Sequence, residues 1–263
     1  MKEDLVTIEA IDEWAWFKCF FRSNHENWDG KTYKRNYNEL MLRDTAVFAL
    51  GDLSNKKVLD IGCGWGLYAI TFARMGAVVS GQDLSEDYIA NAKQLMASIG
   101  LEGTFKVGNA NKLLFEDNSF DAVFSGDFFE HITLEDKKAV IKEAYRVLKP
   151  GGVFTIKTPN LTYLRISLLV KRIAACLFLK NPFKMFIPHT RNNPDCQHHG
   201  LMTYPELEQI MEENMFHFQQ VSLNPLIRKG LPLWLGKLLS KRKMFNEHIL
   251  LTVRKPVFLG FWP

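Results

Sequence analysis

At 263 residues, 47% apolar and 24% charged, the chain has the composition of a folded globular protein, not a disordered one, and is long enough for one large domain with insertions. The opening MKEDLVTIEAIDEW carries acids and no apolar core, unlike a signal peptide, and no run reaches the roughly 18 apolar residues of a membrane span. The net charge of +4 is uneven: residues 161–263 carry 14 Lys/Arg against 6 Asp/Glu, residues 1–160 carry 19 against 23, and the basic part suits an anionic partner or surface.

In chain order, residues 8–50 read as helical and rich in aromatics (Trp14, Trp16, Phe17, Phe20, Trp28, Tyr33, Tyr37). Short apolar runs then alternate with helical patterns. Strands are expected at 57–61, 77–81, 104–108, 120–126 and 152–158, with helices at 67–75, 86–99 and about 135–147. This alternation implies parallel crossovers, hence an α/β fold with a doubly wound sheet covered on both faces. After Asn160 the alternation stops. Residues 161–187 are apolar with interspersed Arg and Lys, 204–215 read as a helix and 217–223 as a strand. A second basic apolar segment spans 226–245, before a last strand at 248–254. The two late strands fit a sheet finished by an antiparallel edge. The scattered cysteines (Cys19, Cys63, Cys176, Cys196) have no metal-type pairing and are expected as free thiols in a reducing cytoplasm.

The chemistry starts at VLDIGCGWGLYAI, residues 58–70, a strand running through a glycine-rich turn into a helix. Such a turn lets backbone approach a nucleotide. Asp60, two residues before the first glycine, repels phosphate and attracts a cation, so the ligand expected here is nucleoside-like and positively charged. Asp83 ends the next strand and can accept both ribose hydroxyls. Leu84 beside it can pack on an adenine face, and Asn109, in GNANKL, can meet an adenine edge.

These stretches, with FDAVFSGDFFEHI and RVLKPGGVFTIKTPN, resemble the class I S-adenosylmethionine-dependent methyltransferases from about Lys56 to Asn160, nearest in pattern to ubiquinone-type O-methyltransferases and related small-molecule and glycan methyltransferases. The resemblance implies a seven-stranded Rossmann-like sheet with S-adenosylmethionine as cofactor. Asp60, Gly62, Cys63 and Gly64 would line its methionine part, and Asp83 would hold the ribose. Asn109 and Ala110 would meet the adenine, and Ser125 and Gly126 would face the methionine end through their carbonyls. Tyr33 or Tyr37 would stand near the cofactor carboxylate. Asn109 departs from the Asp usual in the family, which implies weaker binding.

On the acceptor side, a helix starting near Asp127 would put Asp127, Glu130 and His131 on one face, a set able to hold Mg2+. Some relatives complete an acid-x-x-Glu-His metal set with a later histidine, and His199, with His198 behind it, is the candidate fourth ligand. Two other readings stand beside this one: His131 as a base or orienter without metal, and a purely structural role for Glu130 and His131. GDFF is not the Asn/Asp-Pro-Pro-aromatic turn of methyltransferases acting on DNA base amines.

The expected organisation is a helical N-terminal cap (1–50), a cofactor-binding core (51–160), a basic apolar insert or acceptor lid (161–203), and a C-terminal completion of the sheet (204–263) with an insert at 224–247. The expected activity is O-methylation of a small-molecule, quinone-like or lipid-linked glycan acceptor. The chain is expected to be cytoplasmic, with peripheral contact to anionic membrane as a further expectation. An RNA methyltransferase and a non-catalytic, S-adenosylmethionine-binding regulatory subunit are the alternatives. Nucleic acid is disfavoured because no RNA-binding module is recognisable.

Overall fold

Strand β1 (Lys57–Ile61) is followed by α1 (Leu67–Arg74), β2 (Val78–Asp83), α2 (Glu86–Ser98), β3 (Gly103–Val107) and β4 (Phe120–Gly126). A 3-10 turn (Phe129–His131) then leads to α3 (Leu134–Val147), β5 (Leu148–Pro159), α4 (Leu161–Leu177), α5 (Tyr204–Glu213), β6 (His217–Val221) and β7 (His248–Arg254). The computed structural model describes residues 46–47, 49–98, 100–187, 198–214, 216–221, 238–239 and 241–257. Nearly all of the cap expected at 1–50, with Tyr33 and Tyr37, lies outside them, as does most of the insert expected at 224–247.

The strands form one sheet in the order β3-β2-β1-β4-β5-β7-β6. Six of them have described side chains, and β6 is described through its backbone pairing. Strands β1 to β5 run parallel to one another, and β7 is antiparallel to both β5 and β6. The two late strands thus finish one side of the sheet by antiparallel pairing, as the sequence suggested, with β7 inside and β6 outermost. Strand β5 also starts earlier than expected, because a register shift between Phe120 and Ala122 lets Leu148 pair with Phe120.

Two-residue periodicity sorts the core onto both faces. Val58, Ala122, Phe124 and Leu250 join Phe72 of α1 and Ile89 and Met96 of α2 in one cluster. Leu59, Ile61, Val123, Phe154, Ile249 and Leu251 join Val140 and Ala144 of α3 and Leu207 and Met211 of α5 in the other. Side chains such as Phe72, Phe124 and Phe154 are fully buried, each worth roughly 1.5–3 kcal/mol relative to exposure. The chain leaves β1 for β2 on one side, while β4 pairs with β1 on the other. That reversal opens a crevice at the carboxyl ends of β1 and β4, where open α/β sheets bind ligands.

Candidate functional site

The glycine turn occupies one side of this crevice. Gly62 has φ 68°, and a Cβ there would stand 2.4 Å from the Phe128 ring, so both backbone and space demand glycine. The amides of Gly62 and Cys63 donate to the Gln82 carbonyl at 2.9 and 3.3 Å. Asp83 Oδ2 accepts the Gly64 amide at 2.9 Å and Oδ1 the Ser85 amide at 3.0 Å, which fixes its carboxylate and leaves half of its lone-pair sites for a ligand. Asp60 is 2% exposed, and its Oδ2 has no hydrogen-bond partner. Burial, reinforced by Asp83, pushes its pKa well up, against a smaller opposing effect of the Ala69 amide. An orphaned buried carboxylate oxygen fits a cationic ligand group. The Cys63 thiol is also held up, by burial and then by Asp60 and Asp83. Ser125 Oγ donates to the Ile61 carbonyl at 3.1 Å and ties β4 to β1.

A cavity of about 190 Å3 brings Gly62, Asp83, Leu84, Asn109 and Ala110 together, against Phe128 and Ile132. Leu84 is 71% exposed, as a residue offering a flat apolar contact to a ligand must be. Gln82, which the sequence reading missed, organises the far wall: its Nε2 donates to the carbonyls of Asn109 (2.9 Å) and Lys112 (3.1 Å), and its Oε1 accepts the Leu114 amide (2.9 Å). Only its buried place in a strand hinted at this. Asn109 Oδ1 accepts the Asn111 amide at 2.8 Å.

The acceptor side departs from expectation. No helix starts at Asp127. Its φ is 54°, a left-handed conformation that Asp tolerates better than most residues, and α3 begins only at Leu134, capped by Thr133. Asp127 Oδ2 pairs with Lys157 Nζ at 2.8 Å, and Lys157 also donates to Tyr68 Oη at 3.2 Å. Lys157 is buried. Burial pulls its pKa down, but Asp127 and Tyr68 outweigh that and raise it. Glu130 is 2% exposed and accepts from Thr158 Oγ1 at 2.9 Å. Burial, with the nearby Asp127 charge, pushes it up to about 7. His248, behind this cluster, is pushed down to about 4 by burial and then by Lys157.

Glu130, His131 and His198 each place a potential ligand atom within 4.8 Å of the others. The rings of His131 and His198 lie 5.1 Å apart, centroid to centroid. Of the four residues expected here, Glu130 and His131 come together with His198, while His199 is exposed and outside this group and Asp127 pairs with Lys157. Two imidazoles and one carboxylate suit a borderline transition-metal ion better than Mg2+, which prefers oxygen ligands throughout, so the expected Mg2+ finds no support in these donors.

His198 is brought in by a clasp that the sequence did not reveal. Lys137 Nζ donates to the carbonyls of Gly200 (2.6 Å) and Ile132 (3.1 Å), and the Gly200 amide donates to the Glu130 carbonyl at 2.9 Å. A Cβ on Gly200 would lie 2.1 Å from the Ile132 oxygen. Two residues on, Met202 bridges to Asn160, and its carbonyl accepts the Leu161 amide at 2.9 Å. Burial draws Lys137 down to about 8, against the charges of Glu130 and Glu206. The available signal was a lysine in register with the buried Val140, Ile141 and Ala144 of its helix.

Residues 58–152 match the family model described as a methyltransferase domain. Among similar proteins, the ubiquinone biosynthesis O-methyltransferase of Xanthomonas oryzae pv. oryzae is 35% identical over 125 residues, 47% of this chain and 52% of the relative. An uncharacterized protein of Haemophilus influenzae is 40% identical over 106 residues, 39% of this chain and 42% of the relative. The chain thus spans about half the length of the curated relatives it matches. The fold is shared with magnesium protoporphyrin IX methyltransferase from Synechocystis PCC 6803, solved with bound SAH, at TM-score 0.61 and 18% identity over 92% of this chain and 94% of that one. A methyltransferase from Methanosarcina mazei gives TM-score 0.56 at 23% identity, over 78% and 94%.

Proposed function

We infer that the chain, which through residues 58–152 is a class I S-adenosylmethionine-dependent methyltransferase, moves the methyl group of that cofactor to an oxygen of a small organic acceptor at the carboxyl ends of β4 and β5. The observation that carries the oxygen assignment is the Glu130–His131–His198 group beside the cofactor crevice. A hydroxyl must lose its proton to become an effective nucleophile, and a carboxyl shifted to about 7 next to imidazoles is matched to that task near neutral pH.

On this reading Asp60 receives the ammonium of the cofactor and Asp83 its ribose diol. Gly62, Cys63, Gly64 and the Ser125 carbonyl border the methionine part, while Leu84, Asn109 and Ala110 border the base. Bound there, the cofactor supplies a methyl group on cationic sulfur. The protein's work is alignment to about 3–3.5 Å and exclusion of water. Asp127, held by Lys157, orients the acceptor. Without a metal, Glu130 takes the proton beside the imidazoles of His131 and His198; were these three to hold a divalent ion instead, the ion would supply Lewis acidity to the acceptor oxygen and the proton would pass to water.

The expected segments remain proposals: residues 161–203 as acceptor lid, and 204–263 as completion of the sheet. Support for a quinone-like or lipid-linked acceptor comes from α4 and the residues after it, where Leu169, Val170, Ile173, Leu177, Leu179 and Phe183 are exposed among Arg165, Lys171, Lys180 and Lys184. Among the described residues no helix is long and apolar enough to cross a membrane, so the contact proposed is peripheral. The test is transfer of labelled methyl from S-adenosylmethionine to lipid, water-soluble and RNA fractions, with Mg2+, Mn2+ or Zn2+ added and with chelator. Label in an ether or ester of the lipid fraction is the expected result. Label in RNA, or cofactor binding without transfer to any fraction, would replace this reading by one of the two alternatives.

A further inference from the structure

We propose that Asp136, on α3, supplies the hydrogen-bond acceptor that selects a 6-aminopurine in the cofactor cavity, a task expected of position 109. The proposal rests on the S-adenosylmethionine reading above.

The cavity has two walls. The carboxyl ends of β2 and β3 contribute Asp83, Asn109 and Asn111, while the turn after β4 and the start of α3 contribute Phe128, Ile132 and Asp136. Asp83 and Asp136 are the two carboxylates in its lining. Asp83 is bound to the glycine turn through the Gly64 amide. A nucleoside whose ribose meets Asp83 extends its base toward the Asn109–Asn111 end. Asp136 stands at that end, joined to Asn111 by the Nδ2–Oδ1 hydrogen bond.

Asn109 is the weaker acceptor for an exocyclic amino group: its Oδ1 already accepts the Asn111 amide, it is neutral, and the other half of its head group is an NH2 donor. Asp136 has the complementary polarity. Its Oδ1 accepts from Asn111 and its Oδ2 from Thr133 Oγ1 at 2.8 Å, and each oxygen keeps a lone pair after these bonds. The same two donors hold its pKa below the usual carboxylate range, so it is ionised at neutral pH and acts as acceptor only. Asn111 thus works twice: its backbone amide occupies Asn109, and its side chain fixes Asp136. The acceptor has moved from one wall of the cavity to the other.

A 6-amino group donates to such a carboxylate, whereas a 6-oxo group repels it. The experiment measures binding of S-adenosylhomocysteine and S-inosylhomocysteine to the full chain by calorimetry. The wild type is expected to favour the adenosine form by roughly tenfold or more, the scale set by one hydrogen bond to a charged group. In Asp136→Asn the amide can turn its NH2 to a 6-oxo group, and the preference should fall to within about threefold. Asp136→Ser is the second variant should the first fold poorly. Because Thr133 caps α3 through the backbone amide of residue 136, both variants retain that bond. An unchanged preference in both folded variants would overturn the proposal, leaving Asp136 as a tie between α3 and the β3 loop. So would a preference that collapses in Asn109→Ala while the Asp136 variants keep it. If the wild type binds neither ligand, the cofactor reading itself falls, and the proposal with it.

Discussion

On the side of the crevice built by β1 and β2, acid stands near acid: Asp60 is raised partly by Asp83, and among the described residues neither forms an ion pair. On the side built by β4 and β5, the charge of Asp127 is answered within the chain by Lys157, and Glu130, raised by burial and by Asp127, accepts from the Thr158 hydroxyl. The first side holds a buried carboxylate oxygen that a positively charged group would suit. The second is compensated in advance, so its groups can be held in place before any acceptor arrives. A cofactor that carries its own cations and an acceptor that need carry none fit these two surroundings.

The strongest way to break this contrast is Asp60→Asn. It should lower S-adenosylmethionine affinity by roughly 3–5 kcal/mol, the cost of unpairing a buried charge. Thermal melting of the ligand-free protein should rise, since a buried unpaired carboxylate is gone. Equal loss in both measurements would mean that Asp60 is structural. Next comes the pH response of Glu130. Its proton is bound more tightly in the folded state, so its contribution favours folding at low pH and is lost as pH rises from the ordinary 4.5 to about 7. The full shift corresponds to about 3 kcal/mol. Urea unfolding in chelator at pH 5 and pH 8 should show this decline, and Glu130→Gln should flatten it.

Lys157→Met should cost about 2 kcal/mol, less than a fully buried pair because the Asp127 side chain is 41% exposed. Adding Asp127→Asn should recover part of it, and strict additivity in that cycle would show the pair to be uncoupled. The smallest effect is expected of Asn109→Asp. With Asp136 as the selecting acceptor, an acid at position 109 should change S-adenosylhomocysteine affinity by less than about threefold.

The same contrast explains what could be read from the chain. The cofactor side is local: Asp60, Gly62 and Gly64 lie within one strand and turn, and Asp83 ends the next strand, so period and spacing reveal them. Strand β4 was legible to the residue for the same reason, as an apolar run whose alternate side chains serve opposite faces. The acceptor side is assembled from residues far apart. Lys157 meets Asp127 across two neighbouring strands, and His198 lies beside His131 where Lys137 Nζ and the Gly200 amide donate to backbone carbonyls, which no side-chain pattern encodes. Assigning Asp127 to a helix failed because its partner lies 30 residues away and fixes it in a left-handed conformation.

The place of β7 has a consequence for biosynthesis. Residues 248–254 leave the ribosome after the other six strands of this sheet, yet they sit between β5 and β6, with Ile249, Leu250, Leu251 and Val253 fully buried. Until they emerge, the β5 edge is unpaired and its apolar Phe154 and Ile156 lack their cover, the kind of surface that recruits chaperones or another nascent chain. The cofactor half, by contrast, has all its strands by residue 126. A polypeptide halted after α3 and before β7 would carry the whole lining of the cavity beside Asp83 while the sheet next to Asp127 and Glu130 was still open, so the two sides of the crevice are completed at different times.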